Sequence, residues 1–157
     1  YYLYWGENLV NLAISDNLID WYPNMDDKGN LRKVFEPRAG YFDSALTECG
    51  PPALLTNKGI LLLYNGKNSD GDNADPKLPK GTYSVGQALI DAANPEMVLE
   101  RSETNILKPT LSHEQTGQYK AGTVFSEGLV YFKNKWFLYY GTADSYIGVA
   151  VTDVKLP

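Results

Sequence analysis

The sequence predicts an all-β fold of propeller type, and three observations carry that prediction. One strand-pair unit occurs three times along the chain. The glycines that mark its copies, Gly6, Gly66 and Gly141, lie 60 and 75 residues apart, room for about four strands with their loops. Apolar residues follow no sustained helical period, so no long helix is expected.

The elements follow in order. The first half of each copy is a strand ending in Tyr-x-Gly: Tyr2–Gly6, Leu62–Gly66 and Phe137–Gly141. The second half ends in Ala-x-x-Asp: Asn11–Asp16, Gly86–Asp91 and Gly148–Asp153. These stretches are rich in β-branched and aromatic residues and are set apart by glycine and polar turns, so each copy reads as an antiparallel hairpin. Tyr4, Tyr64 and Tyr139 hold the same place in the motif and are expected to be structural. Between copies, Ala53–Thr56, Met97–Glu100 and Thr123–Phe132 read as further strands, the last turning at Asn134 into Lys135–Tyr140. Asp16–Trp21 and Asn94-Pro95-Glu96 read as short turns closing a blade.

A closed propeller needs about four to eight blades, and this chain supplies roughly two and a half. Residues 1–157 are therefore expected to form part of a larger domain; a small complete β-sandwich is the alternative. Open blade faces would leave large apolar patches. The expected cover is the missing N-terminal half or a self-associated copy.

Composition narrows the partners. The 157 residues carry 14 basic and 19 acidic side chains, a net charge of −5, so a nucleic-acid backbone would meet repulsion. No apolar run approaches the roughly 20 residues of a membrane-spanning helix, and neither nucleic acid nor membrane is an expected partner. The single cysteine, Cys49, leaves the compartment open. The 12 tyrosines suit strands and also offer rings and hydroxyls to sugars. The acidic run Lys67–Pro76 lacks the spacing of a calcium loop and reads as a mobile loop edging the pocket. His113, the only histidine, has no partners for zinc. No metal or other cofactor is expected.

Several ordered motifs resemble glycoside hydrolase family 130. They are Thr47-Glu48-Cys49-Gly50-Pro51-Pro52-Ala53, Leu62-Leu63-Tyr64-Asn65-Gly66, Tyr83–Asp91 with Asn94-Pro95, Val124-Phe125, and Tyr139-Tyr140-Gly141-Thr142-Ala143-Asp144. Trp5–Trp21 is similar to an earlier blade. The resemblance implies the C-terminal portion of a five-bladed catalytic propeller whose central pocket cleaves β-mannosides with inversion, using either phosphate or water. It further implies that phosphorylases hold phosphate with a lysine ahead of Gly-Pro-Pro and a histidine at the place of Asn65. Both are missing here, and Glu48 would meet a dianion instead. Hydrolysis of a β-mannoside oligosaccharide is the expected reaction, with phosphorolysis or a non-catalytic glycan-binding fragment as alternatives.

Water, unlike phosphate, must lose a proton, so hydrolysis calls for a carboxylate base. Glu48, before the sharp turn at Gly50-Pro51-Pro52, and Glu127, in Phe125-Ser126-Glu127-Gly128, are the catalytic candidates. The resemblance marks Asp144, Tyr83 and Phe125 as substrate-binding: a carboxylate accepts sugar hydroxyls, and aromatic faces stack on pyranose rings. Asn65 would orient a hydroxyl or the water. The family's general acid is expected in an earlier blade, so this chain alone should not turn over substrate.

Overall fold

The computed structural model describes residues 1–154 except residue 118. The first antiparallel sheet comprises β1 (Tyr2–Trp5), β2 (Val10–Ile14), β3 (Tyr22–Pro23) and β4 (Lys33–Phe35), with β2 pairing to all three others. The second comprises β5 (Leu46–Cys49), β6 (Leu54–Thr56), β7 (Gly59–Lys67), β8 (Tyr83–Ile90) and β9 (Val98–Arg101), ordered β5-β7-β8-β9 with β6 also on β7. The third, β10 (Val124–Phe132), β11 (Lys135–Thr142) and β12 (Tyr146–Thr152), is a meander. A single 3-10 turn, Ser112–Glu114, is the only helical element among the described residues.

The three repeat hairpins are β1–β2, β7–β8 and β11–β12. Their register corrects one expectation. Tyr64 lies opposite Gly86, and the residue opposite Gly148 is Tyr140, not Tyr139. Tyr140 is buried, whereas Tyr139 is 43% exposed. The glycines explain the pairing: a Cβ on Gly86 or Gly148 would stand 2.7 or 2.5 Å from the facing tyrosine Cζ, so only hydrogen leaves room for the ring. In the third copy the structural tyrosine has moved one residue along the strand, which reverses its face.

β5 and β6 run along β7 in two pieces because Pro51 and Pro52, between them, have no N–H for the ladder. β7 is buried along nearly its whole length, and the core lies on both its sides. One cluster joins Tyr4, Leu12 and Phe35 to Leu62, Tyr64 and Ile90; the other joins Leu63 and Val85 to Val124 and Tyr140. The middle sheet is thus packed between the other two, as a blade is.

Two buried carboxylates tie loops to sheets. Asp43, fully buried, accepts hydrogen bonds from Arg38 Nη2 at 2.9 Å, Arg101 Nη2 at 2.5 Å and the Tyr64 hydroxyl at 2.7 Å. Arg101 also covers the Phe35 and Tyr64 rings at 4.4 and 4.9 Å. Glu114, 2% exposed, accepts from the N–H groups of Thr110 (2.7 Å) and Leu111 (2.8 Å) and from the Tyr140 hydroxyl (2.7 Å). Burial pushes its carboxyl up, but these three donors outweigh burial and hold it below the usual range. A carboxyl lowered in the fold stabilises it above the unfolded-state pKa and loses that contribution as pH falls. Denaturant titrations of the complete protein from pH 7 to 3 should therefore show wild type losing stability that Glu114→Gln does not lose. At pH 7 the variant should be about 2 kcal/mol less stable, because its amide turns a donor toward N–H donors. Parallel pH curves would remove Glu114 from this role.

The segment after β7 departs from expectation: Asn68 pins it. Its fully buried side chain donates to the carbonyls of Asp75, Leu78 and Pro79 at 3.1–3.2 Å and accepts from the Asp75 N–H at 2.8 Å. With the Ser44 hydroxyl, which donates to Oδ1 at 3.1 Å, five polar groups meet on one amide, so the run is a braced loop and not a mobile one.

Candidate active site

Carboxylates gather where β5 and β10, the edge strands of two neighbouring sheets, meet the ends of other hairpins. They line a cleft of about 290 Å³. Glu48 stands on β5, the half-buried strand Leu46–Cys49; four residues without apolar alternation gave no strand signal. Burial pushes the Glu48 carboxyl up from its ordinary range, and the neighbouring Glu7 and Glu127 carboxylates push it further. Cys49, beside it, is no nucleophile, since burial and the Glu48 charge raise its thiol to about 12.

Glu127 owes its place to a break in register. Ser126 pairs with Tyr140 and Gly128 with Tyr139, leaving Glu127 as the extra residue of a β-bulge. A bulge re-aims one side chain, and here Glu127 joins the cleft lining. Asp144 lines it from the turn between β11 and β12, where Ala143 and Asp144 adopt φ of 47° and 53°. Aspartate tolerates that left-handed backbone better than most residues.

The facing wall is aromatic. Tyr83 meets Tyr119 at 5.7 Å and Phe125 at 6.1 Å between ring centroids, and all three line the cleft. The Tyr83 phenol is pushed up by burial first, then by Tyr119 and the Glu48, Asp144 and Glu7 charges. The structure thus brings together Glu48, Glu127, Tyr83, Phe125 and Asp144.

Asn65 is the exception. It is fully buried, and its amide is spent on Ser126: Nδ2 donates to the Ser126 carbonyl at 3.1 Å, while Oδ1 accepts from the Ser126 N–H at 2.7 Å and hydroxyl at 2.8 Å. Nothing of that side chain is exposed and it does not line the cleft, so where a substrate contact was expected the structure has a link between two sheets.

Sequence reasoning missed Glu7, Tyr119 and Thr123, which also line the cleft. A signal for Glu7 existed in the repeat. It directly follows the first motif glycine, as Lys67 follows the second, and Lys67 stands over the Tyr83 ring at 5.4 Å. Among the described residues, the lining includes four carboxylates and no lysine, arginine or histidine. Such a cleft can accept sugar hydroxyls, stack a pyranose and deprotonate a water.

Known proteins match this chain over nearly its whole length. The profile of glycoside hydrolase family 130, described as β-1,4-mannooligosaccharide phosphorylase, matches residues 1–156. A 1,2-β-oligomannan phosphorylase from Thermoanaerobacter sp. (strain X514) is 31% identical over 92% of this chain and 43% of its own length. A glycosyl hydrolase structure from Bacteroides ovatus superposes with a TM-score of 0.94 at 55% identity, over 100% of this chain and 43% of that one. A structure described with the family's glycoside hydrolases that target β-1,2 mannosidic linkages in Candida mannan superposes at 0.95 with 51% identity, over 100% and 44%. The chain spans about two fifths of the length of the curated relatives it matches. Three blade-like sheets, a cleft at their edges and a profile match from end to end agree: the chain is part of an all-β propeller and belongs to glycoside hydrolase family 130.

Proposed function

We propose that the complete protein carrying this chain hydrolyses β-1,2-linked mannosides with inversion, and that the cleft holds the mannosyl unit beside the attacking water. The observation that carries this reading is the half-buried Glu48, raised by burial and by two neighbouring carboxylates, in a lining without cations among the described residues. A base needs a pKa drawn toward the working pH, and a phosphate dianion needs positive partners. Glu48 takes the proton of water; Glu127 and Glu7 hold that water and keep Glu48 basic. Asp144 accepts mannosyl hydroxyls against the aromatic wall. The acid that protonates the leaving oxygen comes from a blade outside this chain, so the chain alone is inactive.

Release of mannose from β-1,2-mannobiose by the complete protein tests this. Turnover should be the same with and without inorganic phosphate. Phosphorolysis is the second reading, favoured by the family description and by the curated relatives, all named as phosphorylases. Lys67, over the Tyr83 ring, would be a cation beside the cleft for such a phosphate. Phosphate-dependent turnover yielding mannose 1-phosphate would establish that reading, and sugar binding without turnover would reduce the protein to a glycan-binding module.

A pH prediction follows from Glu7. Removing its charge in Glu7→Gln eases ionisation of Glu48, so the acidic limb of the kcat profile should move to lower pH, by about half a unit or more. An unmoved limb would separate Glu7 from the base.

A further inference from the structure

Two strands that carry candidate catalytic carboxylates are linked through one side chain, and that side chain hydrogen-bonds to neither carboxylate. In the pairing of β5 with β7, Asn65 lies directly opposite Glu48. Its amide reaches across to the next sheet and closes on the backbone N–H and carbonyl of Ser126, the residue before Glu127. Ser126 is where the β10–β11 register breaks. The amide engages both backbone groups there, much as a neighbouring strand would. Gly50 completes the joint: a Cβ there would stand 2.5 Å from Ser126 Oγ and 3.1 Å from the Leu63 carbonyl. Asn65 and Ser126 are both fully buried, at 0% exposure.

We propose that Asn65 is a positioning residue: by clamping Ser126 it holds the bulge that aims Glu127 into the cleft and sets the spacing between Glu127 and Glu48. The inference rests on the reading that these two carboxylates work on one mannoside. On that reading Glu127 holds the water that Glu48 deprotonates, so the two carboxylates must stand at a fixed spacing about one water, and a misplacement of about 1 Å costs on the order of 10²-fold in rate. Loss of the clamp lets the bulge relax toward regular pairing, which turns residue 127 away from the cleft.

The test uses the complete protein with Asn65→Leu and Asn65→Ser, each alone and combined with Glu127→Gln. Leucine fills the space without polar groups; serine leaves room for water to meet Ser126, so one variant remains usable if the other does not fold. In a folded variant kcat on β-1,2-mannobiose should fall about 50-fold, with KM within about threefold of wild type. In the Glu127→Gln background the same substitution should cost less than about threefold, because the residue it positions has already lost its function. A purely structural role predicts the opposite, with losses that multiply. Multiplying losses, or wild-type kcat in a folded variant, would overturn the proposal. If wild type cleaves no β-mannoside, the functional reading falls by itself. Crystal structures then decide the clamp: a Glu127 carboxylate displaced by more than about 1 Å in the variant supports it, and an unmoved one refutes it.

Discussion

Glu48→Gln should lower kcat for mannoside hydrolysis by about 10³-fold while leaving KM within a few-fold of wild type. Glutamine keeps the shape of the side chain and an acceptor oxygen, so the sugar is still held, but it cannot take a proton. The same change should make the fold slightly more stable at pH 7. Burial and two facing carboxylates hold the Glu48 carboxyl up in the folded state, so its ionisation opposes folding, and the stabilisation present at low pH is lost as pH rises through the folded pKa. A residue whose removal stabilises the protein and abolishes turnover has the signature of a functional site. Glu127→Gln gives the comparison: near-native turnover in both variants would remove both as the base, and a loss in Glu127→Gln alone would transfer the role.

Asp43→Asn should be among the most destabilising single changes in the chain, by about 3–5 kcal/mol. Asp43 is the shared counter-ion of Arg38 and Arg101, whose side chains are 24% and 9% exposed. Asparagine leaves both guanidinium groups without a negative charge and turns an amide donor toward one of them. The Tyr64 phenol would lose its acceptor as well, in the middle of the core that joins the first two sheets. Denaturant unfolding of the complete protein measures the effect. A loss below about 1 kcal/mol would show that water or nearby carbonyls satisfy the arginines.

Much of the fold was legible because the hairpins repeat. Gly86 and Gly148 with their facing tyrosines, and the apolar run of β7, each record a packing constraint in residue type. What escaped was short or non-local. β5 is four residues long and is held by pairing with β7. β3 and β4 lie on β2 and have two and three residues. Tyr139 and Tyr140 are adjacent tyrosines in the same motif, and only the register tells which one faces the core. At the site, Glu48, Glu127, Tyr83, Phe125 and Asp144 were found through motifs. Glu7 was missed because it follows a repeat that reads as structural. Asn65 was misplaced because a polar residue at a motif position suggests substrate, whereas its partner, Ser126, lies 61 residues away in sequence.

Hydrolysis of β-1,2-mannobiose in water enriched in oxygen-18, followed by NMR from the first turnovers in phosphate buffer, shows whether water or phosphate attacks C1. Attack by water gives α-mannose as the first-formed anomer, carrying one solvent oxygen at C1, at a rate indifferent to phosphate. α-Mannose 1-phosphate with no label at C1 would contradict it.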